Sequence, residues 1–143
     1  MNRAPLQQKY STVQIKTANK GKLIVMLYQG AVRFMKKALL QMENKDMEGK
    51  GNSLIRAQDI ILELLYALDE NLIKDGNELA LNLQRVYLYC YRRLVHANVH
   101  LDIKAIEEVI ELLGNLLEAW EKVAESPSGD GPAGPTQSVA LTG

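Results

Sequence analysis

Four stretches of this chain bring apolar residues back every three or four positions, and the breaks between them are short and polar. That spacing returns side chains to one face of a helix that turns once in about 3.6 residues. No stretch carries the strict alternation of a half-buried strand. The chain is therefore expected to be all-α. Short connections favour antiparallel neighbours, so the expected architecture is an antiparallel four-helix bundle with a loosely attached N-terminal segment and a disordered C-terminal tail.

Local signals set the boundaries. Asn19 suits the N-cap of a first helix running to about Met42. Gly49 and Gly51 weaken helix between Asn44 and Ser53, which puts the second helix from near Asn52 to near Leu72. Lys74-Asp75-Gly76 reads as a turn, and Asp75 with Glu78 resembles a capping box opening a third helix that ends around Asn98. Asp102 is expected to cap a fourth helix reaching about Ala124. Residues 1–18 then form an N-terminal segment and 19–125 the four-helix domain. Residues 126–143, rich in Ser, Gly and Pro, read as a disordered tail or an expression remnant.

The first three helices carry apolar residues on two faces. In the second, Leu54, Ala57, Ile61, Leu64, Leu65, Leu68 and Leu72 make one face. Ile55, Leu62, Tyr66 and Ile73 make another row about 100–140° away. The first helix sets Leu23, Leu27, Ala31, Phe34 and Ala38 against Tyr28, Val32, Met35 and Leu39. The third has Leu83, Tyr87, Cys90, Tyr91 and Leu94 as its main face, with Leu81, Leu88 and Val95 to the side. The fourth differs, with one seam of Ile106, Val109, Ile110, Leu113, Leu117 and Trp120 opposite a row of glutamates. A bundle helix ordinarily buries one apolar stripe and hydrates the rest. The second rows either widen the core, meet a second copy of the chain, or form a binding surface.

Composition narrows the function. A length of 143 residues gives one domain, and 47% hydrophobic residues is ordinary for a globular chain. Formal net charge is zero, so no global field favours nucleic acid or anionic lipid. A single cysteine forms no internal disulfide. The first fifteen residues lack the apolar centre of a signal peptide, and the longest apolar run, Leu23 to Tyr28, falls well short of the ~20 residues of a membrane span. A cytoplasmic location is expected, without membrane insertion or nucleic-acid binding.

Chemistry-bearing residues are few. His96 and His100 have the spacing that can set two imidazoles on one metal, but the second lies at a frayed helix end and Asp102 is better used as a cap. They read as a surface pair near a helix C-terminus. Cys90 faces inward and reads as a small core residue. Gly49 and Gly51 do not follow a strand and make no phosphate loop. Lys20, Lys22, Arg33, Lys36 and Lys37, with Arg92 and Arg93, read as solvated charge. Tyr87 and Tyr91 read as core residues with a hydroxyl at the rim, or as the border of a peptide groove. No catalytic, cofactor-binding or metal-binding set is expected.

Longer strings carry more information. Thr17-Ala18-Asn19 leads into Lys22-Leu23-Ile24-Val25-Met26-Leu27-Tyr28-Gln29-Gly30-Ala31, and Leu54-Ile55-Arg56-Ala57-Gln58-Asp59-Ile60-Ile61 follows with Glu63-Leu64. Leu79-Ala80-Leu81-Asn82-Leu83, Val86-Tyr87, Tyr89, Arg92-Arg93-Leu94, Ala97-Asn98 and Glu118-Ala119-Trp120 come after. In this order and at these spacings, from Tyr10 to Trp120, the chain resembles the flagellin export chaperone family (FliS). It departs where the family usually has proline and an acidic residue, here Lys20 and Gly21, and at Gln29, where Asp or Asn is common.

The resemblance implies a cytoplasmic chaperone, not an enzyme, without a cofactor. It would bind the C-terminal segment of flagellin, keep it from polymerising early, and pass it to flagellar export gate components. The apolar second rows offer a groove for that segment: Ile55, Leu62, Tyr66, Ile73, Leu81, Leu88, Tyr91 and Val95. By family analogy Leu6, Tyr10, Val13 and Ile15 would cover the groove when cargo is absent. Homodimerisation of the cargo-free protein, or a generic helical adaptor role, is the competing use of the same rows.

Overall fold

The computed structural model describes residues 20–125. They form α1 (Lys20–Glu43), α2 (Met47–Tyr66), a short α3 (Glu70–Lys74), α4 (Glu78–His100) and α5 (Ile103–Glu125). Helix α1 packs against α2 and α5, and α4 packs against the same two. The four long helices therefore stand in a square, with α1 diagonal to α4 and α2 diagonal to α5. The all-α bundle expected from periodicity is what forms.

Three of the turns share one construction. A residue with positive φ ends one helix, and the Asp or Asn after it caps the next. At the first, Lys45 has φ 61° and the Asp46 N–H donates to the Gln41 carbonyl, while the Asp46 carboxylate accepts from the Gly49 N–H. At the second, Gly76 has φ 78°, Asn77 N–H donates to Leu72, and its side chain accepts from Ala80. At the third, Leu101 has φ 54°, Asp102 N–H donates to Ala97, and its carboxylate accepts from Ala105.

This construction corrects three sequence expectations. Helix α2 starts at Met47 instead of near Asn52, because the Asp46 cap offsets the weakness of the two glycines. A Cβ at position 49 would collide with the Asp46 carboxylate and the Gln41 side chain, so Gly49 leaves room for the cap. Helix α4 is capped by Asn77, and Asp75 instead closes α3. Helix α2 ends at Tyr66, not near Leu72. Asp69 accepts from the Asn71 N–H and starts α3, which carries Leu72 and Ile73 away from the α2 register.

The core is drawn from all four long helices. Leu54, Ala57, Ile61 and Leu64 of α2, Leu83, Cys90 and Leu94 of α4, and Ile106, Val109 and Leu113 of α5 are buried as their periodicity requires. Each fully buried Leu or Ile contributes about 1.5–3 kcal/mol. Helix α1 departs from expectation. Its supposed second row supplies Tyr28 and Met35, both fully buried, while Leu27 and Phe34 of the supposed main face are half-buried. Val32 and Leu39 pack against the core as well. Both rows of α1 are thus absorbed, with α2 packed on one side of it and α5 on the other. Gly30 lets α2 come close: a Cβ there would stand 3.2 Å from Ile60 Cδ1.

Tyr28 and Tyr87 brace the diagonal. Their hydroxyls lie 2.6 Å apart inside the core, and the Tyr28 ring is 6.5 Å from that of Trp120. The Tyr87 hydroxyl is therefore not at the rim, as the sequence reading placed it. Burial pushes both phenols above their ordinary range, so each stays protonated and the pair satisfies itself.

Candidate functional site

The second rows of α2 and α4 have a different fate from that of α1. On α2, Ile60 and Ser53 touch α1 through Gly30 and Gln41. Going round the helix, the opposite edge is the one nearest α4. Gly51 lies on it, with the Asn98 side chain of α4 3.9 Å from where its Cβ would stand. Gln58, Ile55, Leu62 and Tyr66 fall on that same edge at 100° per residue. On α4, Tyr89 and Arg93 meet Glu108 of α5, and Asn98 marks the edge toward α2; Tyr91 falls on that edge at 100° per residue, Val95 and Leu88 beside it, and Leu81 and Val99 farther round toward solvent. The two rows therefore flank one seam, between α2 and α4.

The register of the seam is set by one buried cation. The Lys50 amine donates to the Asn98 side-chain oxygen at 2.6 Å and to its backbone oxygen at 3.1 Å. This satisfies a carbonyl in the last turn of α4 and places positive charge at a helix C-terminus. Counting along the antiparallel helices from that contact puts Ile55 at about the height of Val95, Leu62 of Leu88, and Tyr66 of Leu81.

Exposure along the seam is high for apolar residues. Ile55 is 49% exposed, Tyr66 77%, Val95 40% and Val99 71%, with Leu62, Leu81 and Leu88 half-buried between them. One expected member sits elsewhere. Ile73 is half-buried on α3, out of register with the row, whereas Tyr91 stays on the α2-facing edge of α4, half-buried and packed against the core. Val99, four residues after Val95, continues the exposed row and was not among the expected members. The expected covering residues, Leu6, Tyr10, Val13 and Ile15, lie outside the described residues.

The flank of α4 toward α5 is polar by contrast. The Tyr89 hydroxyl donates to Glu108 at 2.6 Å, and Arg93 Nε donates to the same carboxylate at 3.0 Å. The Tyr89 hydrogen bond, then Arg93, holds the Glu108 carboxyl below its ordinary range. Between α1 and α5, a cleft of 330 Å³ mixes Val25 and Met26 with Lys22 and Glu121, and Gln29 donates to Glu121 at 3.3 Å.

The chemistry-bearing residues take structural roles. His96 lies 3.2 Å from Asp102, whose other oxygen caps α5, and the two histidine rings are 4.4 Å apart. No third ligand joins them: among the described residues no three His, Cys, Asp or Glu could hold a metal together. Cys90 is fully buried, and burial pushes its thiol up to about 12, far from thiolate chemistry at neutral pH. Arg56 lies over the Phe34 ring at 5.0 Å, tying α2 to α1. Among the described residues no helix is long and apolar enough to cross a membrane.

The described residues combine a packed four-helix core with apolar rows left partly exposed on α2 and α4, and comparison with known proteins gives the lineage. The family profile described as "Flagellar protein FliS" matches residues 1–127. The chain belongs to the FliS family. The flagellar secretion chaperone FliS of Bacillus subtilis is 37% identical over 128 residues, covering 87% of this chain and 92% of its own. Its counterpart in Salmonella typhimurium is 40% identical over 115 residues, covering 80% and 83%. That of Escherichia coli is 37% identical over 115 residues, covering 80% and 82%. FliS relatives are thus chaperones of flagellar secretion, and the match spans every described helix.

Proposed function

We propose that this chain is a flagellar export chaperone that holds the C-terminal segment of flagellin over the seam between α2 and α4. The supporting observation is that Ile55, Tyr66 and Val95 are exposed and Leu62, Leu81 and Leu88 only half-buried on the two helices that the Lys50–Asn98 contact joins. On α1 the second row is drawn into the core, and α5 carries a single apolar seam; Met26 and Leu40 of α1 and Ile103 of α5 are exposed outside these rows. An amphipathic segment laid along such a seam buries apolar residues against both helices. Each Leu or Ile covered contributes about 1.5–3 kcal/mol, and ordering the cargo cancels a large part of the sum. Binding therefore rests on many modest contacts, which suits cargo that must later be released to the export gate.

Holding this segment keeps flagellin from polymerising in the cytoplasm, and no nucleotide is needed because release follows partner exchange. Residues 1–18 act as a cover for the seam before cargo arrives. Titrating the full chain with a peptide spanning the flagellin C-terminal segment should give a one-to-one complex with a gain in helical circular dichroism. An inert mixture would overturn the proposal. If instead the chain self-associates through the seam in sedimentation and ignores the peptide, the adaptor reading replaces it.

A further inference from the structure

We infer that Gln58 is a main-chain anchor within the seam: its side-chain amide hydrogen-bonds a peptide group of the docked segment where that segment is not helical. This rests on the cargo reading of the seam given above. Three polar or charged residues are buried in the described chain: Lys50, Ser53 and Gln58. Lys50 is bonded to Asn98, and Ser53 Oγ is hydrogen-bonded to the Gln41 side-chain amide at 2.7 Å. Gln58 is 9% exposed, and its amide makes no hydrogen bond among the described residues. Buried amides nearly always have partners, because an unmet donor and acceptor cost free energy.

Its position points to what fills that need. Gln58 stands on the edge of α2 nearest α4, three residues after Ile55 and four before Leu62, in the middle of the apolar row. Counting from the Lys50–Asn98 contact sets it at about the height of Tyr91, whose hydroxyl also has no hydrogen-bond partner among the described residues. Stability alone would favour a leucine at 58, as at Leu54 one turn before. An amide offers an acceptor and two donors without charge, so it can pair at once with the C=O and N–H of one peptide group, which a carboxylate or an ammonium can meet only on one side. Inside a helix those groups are already bonded to each other. The cargo over Gln58 is therefore extended or at a helix end, with apolar side chains seated on either side.

The test uses the full chain, calorimetry, and the flagellin C-terminal peptide as probe. Gln58→Met keeps the shape and removes the hydrogen bonds. It should weaken binding about tenfold. The thermal midpoint of the free protein should stay level or rise, opposite to what a structural role for the amide predicts. In wild-type protein the Gln58 side-chain NH2 signals should shift and exchange more slowly on saturation with peptide, a readout that needs no variant. Wild-type affinity in Gln58→Met, or NH2 signals unmoved by peptide, would overturn the anchor. Leu88→Asp run in parallel separates the two readings. If it binds normally the cargo is not in the seam at all, whereas if it fails while Gln58→Met binds normally only the anchor is lost.

Discussion

Helix α4 has two flanks, and they are built on opposite principles. Toward α5, Tyr89 and Arg93 converge on one carboxylate of Glu108, so polar groups are matched to polar groups. On the side away from Glu108, Leu81, Leu88, Val95 and Val99 keep much of their surface in water, as Ile55, Leu62 and Tyr66 do on α2. The closed flank spends its side chains on the bundle, and the open flank keeps them available. One helix can therefore be firm and receptive at once, because the two demands fall on different sides of it.

Substitutions can pull these sides apart. The largest effect belongs to the interior. Leu113→Asp puts an unpaired charge into the core and should remove more than about 4 kcal/mol, unfolding the chain as read by circular dichroism. Leu88→Asp on the open flank should keep the helical signal and a cooperative melt while abolishing peptide binding. A Leu88→Asp protein that does not fold would show that the seam is core and erase the distinction between the flanks.

A middle-sized effect is expected along the diagonal. Tyr28→Phe leaves the Tyr87 hydroxyl buried without a partner and should cost about 1–3 kcal/mol in denaturant unfolding. The Tyr28→Phe/Tyr87→Phe pair should recover part of that loss, since both polar groups then disappear. Two independent, additive losses would show that the hydroxyls do not depend on each other.

The smallest effect concerns acid. The Ala105 N–H first, then His96, holds Asp102 below the ordinary carboxylate range, and Tyr89 with Arg93 does the same for Glu108. A carboxyl with a lowered folded pKa adds stability above its unfolded value and loses it as the pH falls through the folded value. The thermal midpoint should therefore drop on acidification from the ordinary carboxylate range downward, and Glu108→Gln should flatten that decline. The closed flank would then be the pH-sensitive one. An unchanged acid limb in Glu108→Gln would deny it that role.

Much of the fold was legible because its signals are local. Asp102 before Ile103, and the single apolar seam of α5 opposite glutamates, specify a helix and its buried face without reference to the rest of the chain. The inward face of α1 was not legible. Its two rows are equally apolar, and the choice is made by Tyr87, fifty-nine residues away, whose hydroxyl draws Tyr28 inward. The break after Tyr66 was also hidden, since no Gly or Pro marks it and the deciding event is competition by the Asp69 cap. At the site, the rows on α2 and α4 could be read as rows, but not as walls of one seam. That needed the Lys50–Asn98 contact, which joins residues forty-eight apart. Gln58 carried no signal, because a glutamine amid apolar neighbours looks hydrated until its burial is known.

Trp120 is the only tryptophan in the chain and belongs to the helix diagonal to α2, with its ring tilted against that of Tyr28 at 6.5 Å. Its emission is thus a private channel for the integrity of the interior, remote from where a client would sit. Folding can be watched by fluorescence while docking is followed by another probe, and a spectral change on docking would mean that the interior itself had been remodelled.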